Sequence, residues 1–318
     1  MIWDLKGGRQ LDFRQRARIM GILNVTPDSF YDGGRYVDPQ CAVDRVLAMV
    51  DEGADVVDIG GESSRPPIYG RAAQVPAGEE VDRVLPIVAA VRRQSSIPIS
   101  IDTTKAGVAR QALDVGADII NDISALAEDP HMVEVAVSSG APVILMHRRG
   151  TAATMQQNTR YDDLLSEIRD FLEDRVRVAV EAGARADRLA VDPGIGFGKS
   201  VTANFALIKH LSVFARPGHP VVVGASRKSF LWKPLGLSPE QALEGSLAAA
   251  VIAVANGADM IRTHDVAATA RALQVAEAID TSTVTRGNTN GRDAGFPPTA
   301  VPATDVFGEE ERSSDAPG

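Results

Sequence analysis

Short runs of consecutive apolar residues recur along this chain, and each run ends on a polar or glycine-rich cluster. The runs begin near Ile19, Val56, Ile97, Ile119, Val143, Leu189, Val221 and Met260. Buried parallel strands are near-continuous Val, Ile and Leu runs, because helices cover both of their faces. The pattern therefore predicts eight parallel strands.

Segments with helical periodicity separate most of these runs. They are 42–50, 81–91, 108–115, 132–137, 164–182, 241–255 and 267–279. Several are followed by Gly-Ala, often with Asp next, and glycine there allows the left-handed backbone that stops a helix. Repeated alternation of strand and helix predicts the α/β class and a (β/α)8 TIM barrel. An open doubly wound sheet alternates likewise, but no GxGxxG follows the first strand to indicate a dinucleotide site.

The two ends of the chain lie outside the alternating pattern. Residues 1–17 contain Gly7-Gly8 between short apolar segments, which predicts a β-hairpin that closes the barrel floor. The barrel is expected over 18–280. From 281 to 318 Gly, Pro, Ser, Thr and acidic residues dominate, and this tail is predicted to be disordered, with a docking peptide as the alternative.

Composition fits one soluble domain. The 318 residues suit a barrel of about 250 residues with extensions. No apolar run approaches the ~20 residues of a membrane span, and the start does not resemble a signal peptide. The single Cys41 fits a reducing compartment, so a cytoplasmic location is expected. A net charge of −9 argues against nucleic-acid binding, although local basic residues can still hold an anionic substrate.

Acidic and amide side chains end three of the predicted strands, at Asp102, Asn121 and Asp192. Carboxyl ends of barrel strands face the mouth, so these side chains are expected to share one apolar well. An aminopyrimidine edge presents adjacent N–H donors, which a carboxylate accepts in pairs. Each Asp or Asn could instead cap the following helix. Three of them on one rim, together with Lys228, favour a ligand.

A separate anion site is expected where the last strand closes on the first. Asn24 follows the first strand, and Arg262 and His264 follow the last. The planar guanidinium of arginine can donate two hydrogen bonds to phosphate oxygens, and an Asn side-chain oxygen can serve as a Mg²⁺ ligand. The sequence shows no His and Cys pattern with zinc spacing. Mg²⁺ shared with substrate phosphates is therefore the expected cofactor, with Asn24 as its side-chain ligand.

Two loops rich in Gly, Pro and Ser, at 26–34 and 63–67, also carry Phe, Asp and Arg. This composition suits a lid that closes over a ligand and contributes charge. A long connection without a role in the site is the alternative.

The ordered set of motifs resembles the dihydropteroate synthase family over residues 17–280. The motifs are ILNVTPDSF at 22–30, GGESSRP at 60–66, SIDT at 100–103, NDI at 121–123, DPGIGFGK at 192–199, SRKS at 226–229 and RTHD at 262–265. The resemblance implies a TIM barrel, usually a homodimer. It also implies that 6-hydroxymethyl-7,8-dihydropterin diphosphate is joined to 4-aminobenzoate, with release of diphosphate.

The resemblance also implies a set of site residues. For the pterin pocket they are Asp102, Asn121, Asp192 and Lys228, lined by Ile123, Met146 and Gly224. For diphosphate and Mg²⁺ they are Asn24, Ser64, Arg65, Arg262 and His264. For 4-aminobenzoate they are Phe30, Arg65, Pro66, Phe197, Lys228 and Ser229.

The implied reaction is a dissociative displacement in which C–O cleavage leaves a pterin cation for the aromatic amine to attack. Asp102, Asp192 and Asp32 would lie near the developing positive charge. Mg²⁺, Arg262 and His264 would neutralise the departing diphosphate.

Three features depart from the family pattern. They are a longer second loop between Arg65 and Glu79, Arg148-Arg149 in place of a frequent Met-Gln, and Trp232 beside the expected aminobenzoate wall. Each bears on specificity and on sulfonamide binding. Two other functions stay open: a related methyltransferase that binds methyltetrahydrofolate, and a pterin-binding paralogue without activity. The anion residues and SRKS argue against the first, and the filled catalytic positions argue against the second.

Overall fold

The computed structural model describes residues 1–25, 39–62, 75–151, 154–215 and 218–282. Its strands are β1 (Ile2–Asp4), β2 (Gln10–Asp12), β3 (Arg18–Asn24), β4 (Val56–Gly60), β5 (Ile99–Asp102), β6 (Ile119–Asp122), β7 (Val143–Met146), β8 (Leu189–Asp192), β9 (Val222–Val223) and β10 (Met260–Thr263). Its helices are α1 (Pro39–Asp51), α2 (Ala77–Gln94), α3 (Ala106–Val115), α4 (Met132–Ser139), α5 (Leu164–Glu181), α6 (Val201–Lys209), α7 (Ser229–Trp232), α8 (Leu243–Ala255) and α9 (Val266–Thr281).

Strands β3 to β10 form a closed parallel barrel. Their order around the sheet is β8-β7-β6-β5-β4-β3-β10-β9. A parallel bridge between Val191 and Val221, with the Val191 amide donating to the Pro220 carbonyl at 2.9 Å, joins the two ends. The TIM barrel predicted from the hydrophobic pattern is thus confirmed. No helix among the described residues is both long and apolar enough to span a membrane.

The N-terminal hairpin covers the floor of the barrel. Strands β1 and β2 pair antiparallel, and Trp3 on β1 is fully buried, in edge contact with Phe13 at 5.0 Å. The hairpin packs on barrel residues Met20, Val56, Ile119, Ile144, Ala190, Val222 and Met260. An apolar plug therefore fills the end opposite the carboxyl termini of the strands.

The repeated Gly-Ala-Asp sequences explain how neighbouring strands are held at this floor. Gly53, Gly116 and Gly257 have φ of 102°, 126° and 102°, as predicted for glycines that end helices. Each following aspartate accepts a hydrogen bond from a backbone amide within one residue of the start of a neighbouring strand. The pairs are Asp55 with Ile19 at 2.9 Å, Asp118 with Ile99 at 3.0 Å and Asp259 with Val221 at 2.8 Å.

The hydrophobic pattern of the sequence did not predict helix α6. Its N-cap Ser200 accepts a hydrogen bond from the Ala203 amide at 3.1 Å. Its buried face carries the polar Asn204, 2% exposed, beside Leu207 and Ile208. An amide at a core position interrupts the apolar period, and the helix has only nine residues. For both reasons periodicity alone did not reveal it.

Candidate active site

A shared cation lies at the mouth of the barrel. Arg262, at the end of β10, donates from Nε to Asp58 Oδ2 at 2.6 Å and from Nη2 to Asp102 Oδ2 at 2.6 Å. The sequence analysis placed Asp102 in a ring pocket and Arg262 in a separate anion site. The structure instead joins them by a direct ion pair, so the two predicted groups are contiguous.

Asp58 is a site residue that the sequence analysis did not select. It lies on β4, its side chain is fully buried, and its Oδ2 also accepts from Asn121 Nδ2 at 3.1 Å. A carboxylate only accepts, so it holds the Asn121 amide with NH2 toward Asp58 and leaves the carbonyl oxygen for other partners. The available signal was a charged residue inside an otherwise apolar strand, VVDIG.

Burial shifts the ionisation of the Asp102 carboxyl group toward neutral pH. It raises the pKa of Asp102 to about 7, against the opposing charge of Arg262, and Asp58 adds to the rise. One guanidinium therefore serves two carboxylates in a poorly solvated place. The nearby charge of Asp58 disfavours ionisation of Asp102, because like charges at short range repel each other.

A second pair of opposite charges lies across the mouth. Asp192, 5% exposed, accepts from the Gly194 amide at 2.6 Å, and burial raises its pKa while Lys228 opposes that rise. Lys228 donates from Nζ to the Ile195 carbonyl, and this amine lies 4.5 Å from the centre of the Phe197 ring. Burial lowers the pKa of Lys228 to about 7, against the charge of Asp192.

The anion residues flank the shared cation. His264 Nδ1 lies 3.0 Å from Ser226 Oγ, which also accepts from the His264 amide at 3.2 Å. Ser226 thereby fixes the orientation of the imidazole ring. Asn24 ends β3, is partly buried, and stands in register with Gly60 of β4. The described residues contain no group of three or more His, Cys, Asp or Glu arranged to hold a metal ion.

The remaining predicted residues fall into two sets. Gly224 lies beside both cations, since a Cβ there would meet Arg262 Cβ at 3.7 Å and Lys228 Nζ at 3.9 Å. Met146 is buried at the end of β7, while Ile123 after β6 and Ser229 at the start of α7 are partly buried. Five predicted site residues lie outside the described residues: Phe30, Asp32, Ser64, Arg65 and Pro66.

One departure from the family pattern, Arg148-Arg149, has structural partners for both of its side chains. Arg148 pairs with Glu128. Arg149 stacks on Tyr161 with its guanidinium 3.7 Å from the ring centre and bonds Glu167 at 2.6 Å. The guanidinium groups of both arginines are therefore already engaged by other side chains of the protein. The longer second loop lies outside the described residues from 63 to 74.

This chain resembles known proteins over most of its length. Residues 20–264 match the family of pterin binding enzymes. A dihydropteroate synthase of Synechocystis sp. is 44% identical over 274 residues, which cover 86% of this chain and 93% of that protein. Yersinia pestis dihydropteroate synthase, solved as a sulfonamide drug complex, has a TM-score of 0.82 at 42% identity, covering 89% of this chain and 100% of that one.

A dihydropteroate synthase from Xanthomonas albilineans, solved in complex with 7,8-dihydropteroate, has a TM-score of 0.79 at 40% identity. The match covers 89% of this chain and all of that one. Sequence identity of 40% to 44% accompanies the shared barrel over nearly the whole of each relative. The chain therefore belongs to the pterin-binding enzymes and, among them, to the dihydropteroate synthase family.

Proposed function

We propose that this chain transfers the dihydropterin ring with its 6-methylene from 6-hydroxymethyl-7,8-dihydropterin diphosphate to the amine of 4-aminobenzoate, forming 7,8-dihydropteroate and releasing diphosphate. The observation that carries this proposal is the adjacency of two buried polar groups: the Asp58–Arg262–Asp102 cluster and the Asp192–Lys228 pair. The first offers a cation to phosphate, and both offer carboxylates to a ring with N–H donors.

Recognition of the pterin would depend on the buried end of this well. Asp192 and Asn121 are each 5% exposed. A carboxylate at Asp192 can accept two N–H groups of the aminopyrimidine edge, and Asn121 retains its carbonyl oxygen as an acceptor. The low exposure makes a missing ligand donor costly, which gives the site its selectivity.

The bond changes follow from this placement. The C–O bond of the substrate breaks with both electrons leaving on the diphosphate oxygen, and the pterin methylene becomes cationic. The lone pair of the aromatic amine then forms the C–N bond, and the amine loses a proton. Arg262 and His264 offset the charge on diphosphate, while Asp102 and Asp192 lie where the positive charge develops.

Mg²⁺ is the proposed cofactor. Asn24 contributes a neutral oxygen at the rim, and the described residues add no carboxylate cluster to it. This donor set fits an ion that takes its other ligands from water and diphosphate oxygens, as Mg²⁺ commonly does. When bound, Mg²⁺ would supply positive charge against the leaving group.

The second substrate would lie over the pterin, against Phe197, Lys228 and Ser229. A sulfonamide would compete for this position, as the complex of the Yersinia pestis relative suggests. We expect ordered binding, with diphosphate and Mg²⁺ first. Calorimetry should detect 4-aminobenzoate binding only when diphosphate is present, and equal affinity without diphosphate would contradict the order.

A homodimer in the cytoplasm is the proposed assembly and location. Large apolar side chains are exposed on three helices that contact one another in the order α6, α8, α9: Phe205 at 47%, Ile252 at 50%, Val275 at 53% and Ile279 at 69%. A second copy of the chain would cover this surface. Sedimentation should show a dimer that Ile252→Asp converts to a monomer, and a wild-type monomer at micromolar concentration would contradict the proposal.

The activity is tested directly by supplying both substrates with Mg²⁺ and measuring diphosphate and dihydropteroate. Both products should form in equal amounts, and Asp102→Asn should abolish their formation while leaving the fold intact. Methyltetrahydrofolate serves as the control ligand in a thermal-shift assay. Stabilisation by methyltetrahydrofolate, without release of diphosphate, would favour the related methyltransferase instead.

A further inference from the structure

A second lysine near the mouth has no place in the reaction described above. Lys199, between β8 and α6, is 3% exposed. Its Nζ lies 2.9 Å from His147 Nδ1, 2.9 Å from the Phe197 carbonyl oxygen and 3.4 Å from the His147 carbonyl oxygen. Lysine is seldom buried without partners, so these contacts account for the position of its amine.

The chemistry of the partners makes Lys199 the donor. Carbonyl oxygens accept only, and His147 must be neutral to accept through Nδ1. Burial lowers the pKa of His147 to about 3, with Lys199 and Arg149 adding to the effect. The ring stands in edge contact with Phe171 at 4.9 Å, which holds it in place. The amine therefore connects the residue after β7 to the loop after β8.

That loop surrounds the amine of Lys228. The Ile195 carbonyl accepts from Lys228 Nζ, and the Phe197 ring lies against the same amine. Gly196, with φ of 85°, approaches so closely that a Cβ would lie 2.9 Å from Lys228 Cδ. The backbone path from Gly194 to Gly198 thus determines where Lys228 Nζ lies.

Other groups fix the same loop, but at different atoms. The Asn204 side-chain oxygen accepts from the Gly196 amide at 2.6 Å, and Tyr161 donates to the Gly198 carbonyl at 3.0 Å. Lys199 acts between them, on the carbonyl of Phe197, whose ring touches Lys228. It therefore links the contact surface of Lys228 to His147, the residue that follows β7.

We propose that Lys199 is a positioning residue, whose amine holds the Gly194–Gly198 loop against His147 and thereby places Ile195 and Phe197 around Lys228. The inference rests on the proposed function only in the role given to Lys228. Without the Lys199 amine, the loop would separate from β7 and admit water to Lys228. Lys199, which is buried, and Lys228, which is partly buried, would no longer be held in their present arrangement.

The test is the titration of Lys228 in the folded protein, followed by NMR with lysine labelled at Cε and assigned with Lys228→Arg. The charged groups that face this amine are Asp192 on β8, Asp102 on β5 and Arg262 on β10, and Lys199 interacts with it as a like charge. In Lys199→Met the Lys228 pKa should rise by about one unit or more toward the value of a solvated lysine. Lys209→Met, at the exposed end of α6, is the matched control and should leave the titration unchanged.

His147→Phe is the second variant. It keeps an aromatic ring against Phe171 but removes the acceptor of the Lys199 amine. The Lys228 titration should move in the same direction. An unchanged Lys228 titration in a folded variant would overturn the proposal, and so would unfolding of both variants, which would give Lys199 a purely structural role. Because the readout needs no turnover, an inactive wild-type protein would count against the proposed function alone.

Discussion

Arg262 donates to Asp102 at 2.6 Å, so the cation expected to meet diphosphate holds the carboxylate expected to meet the pterin. The same guanidinium also bonds Asp58, which is fully buried. Removing one member of a buried ion cluster leaves an uncompensated charge, and this commonly costs more than the intact cluster contributes. Substitutions of these three residues should therefore have different kinds of effect, as well as effects of different size.

Arg262→Ala should lower kcat about 10²- to 10³-fold, since a positioned donor to a developing anion is lost. It should also weaken binding of 6-hydroxymethyl-pterin without diphosphate, because Asp102 loses the cation that lowers its pKa and is then more readily protonated. Arg262→Lys keeps the charge but cannot donate through a fixed fork to both carboxylates. Steady-state kinetics and calorimetry on both variants measure the two effects. Wild-type pterin affinity in Arg262→Ala would show that the two sites act independently.

Asp58→Asn should reduce kcat/KM about 10- to 100-fold, because a charge-assisted hydrogen bond is worth about 1.5 to 3 kcal/mol. The Asn121 amide and Arg262 then share a neutral amide oxygen in place of a charged carboxylate acceptor. The matched control is Asp55→Asn, one residue before the start of β4, where Asp55 bonds Arg16 and Arg18. That variant should lower the melting temperature and leave kcat/KM near the wild-type value. A catalytic loss in Asp55→Asn that equals the loss in Asp58→Asn would refute the assignment.

Pterin affinity should decrease as pH falls through about 7, since burial raises the pKa of Asp102 to about 7 and the protonated carboxyl accepts poorly from N–H groups. Asp58 contributes to that raised pKa, so Asp58→Asn should move the midpoint to lower pH. Calorimetric titrations from about pH 5 to 9, with the titration of the free pterin subtracted, measure both midpoints. An unmoved midpoint would assign the pH dependence to another group.

Gly194→Ala should prevent folding or displace the loop after β8. The glycine has φ of 69°, and a Cβ would lie 1.8 Å from the His147 carbonyl oxygen. Gly140→Ala is the control, because Gly140 has φ of 62° with nothing within 4 Å of the added Cβ. It should cost about 1 to 2 kcal/mol of unfolding free energy, the left-handed penalty alone. Denaturant unfolding compares the two, and equal destabilisation would mean that the close approach is unimportant.

The hydrophobic pattern was enough to predict the barrel and the residues at its mouth, because both depend on local order along the chain. Asp102, Asn121 and Asp192 end consecutive or nearby strands, and parallel topology brings such ends together. Contacts across the barrel have no such local signal. Arg262 and Asp102 are 160 positions apart, and the carboxylate that a guanidinium selects depends on side-chain packing.

Lys199 and Asp58 show a second limit. Both belong to recognised stretches of sequence, yet neither was given a role, because their partners are backbone carbonyls, a histidine and other buried side chains. A buried lysine is visible in sequence only as a polar residue beside glycines. The hydrogen bonds that make its burial acceptable require the folded backbone.

The N-terminal hairpin that fills the barrel floor also limits how ligands enter and leave the barrel. With Trp3 and Phe13 filling the floor, the described barrel has one usable opening for ligands that reach Asp192 and Asn121. A ligand bound at the rim must then dissociate before the pterin ring beneath it can leave. A rim-bound inhibitor would therefore trap the deeper ligand, and its own residence time would set the escape rate of both.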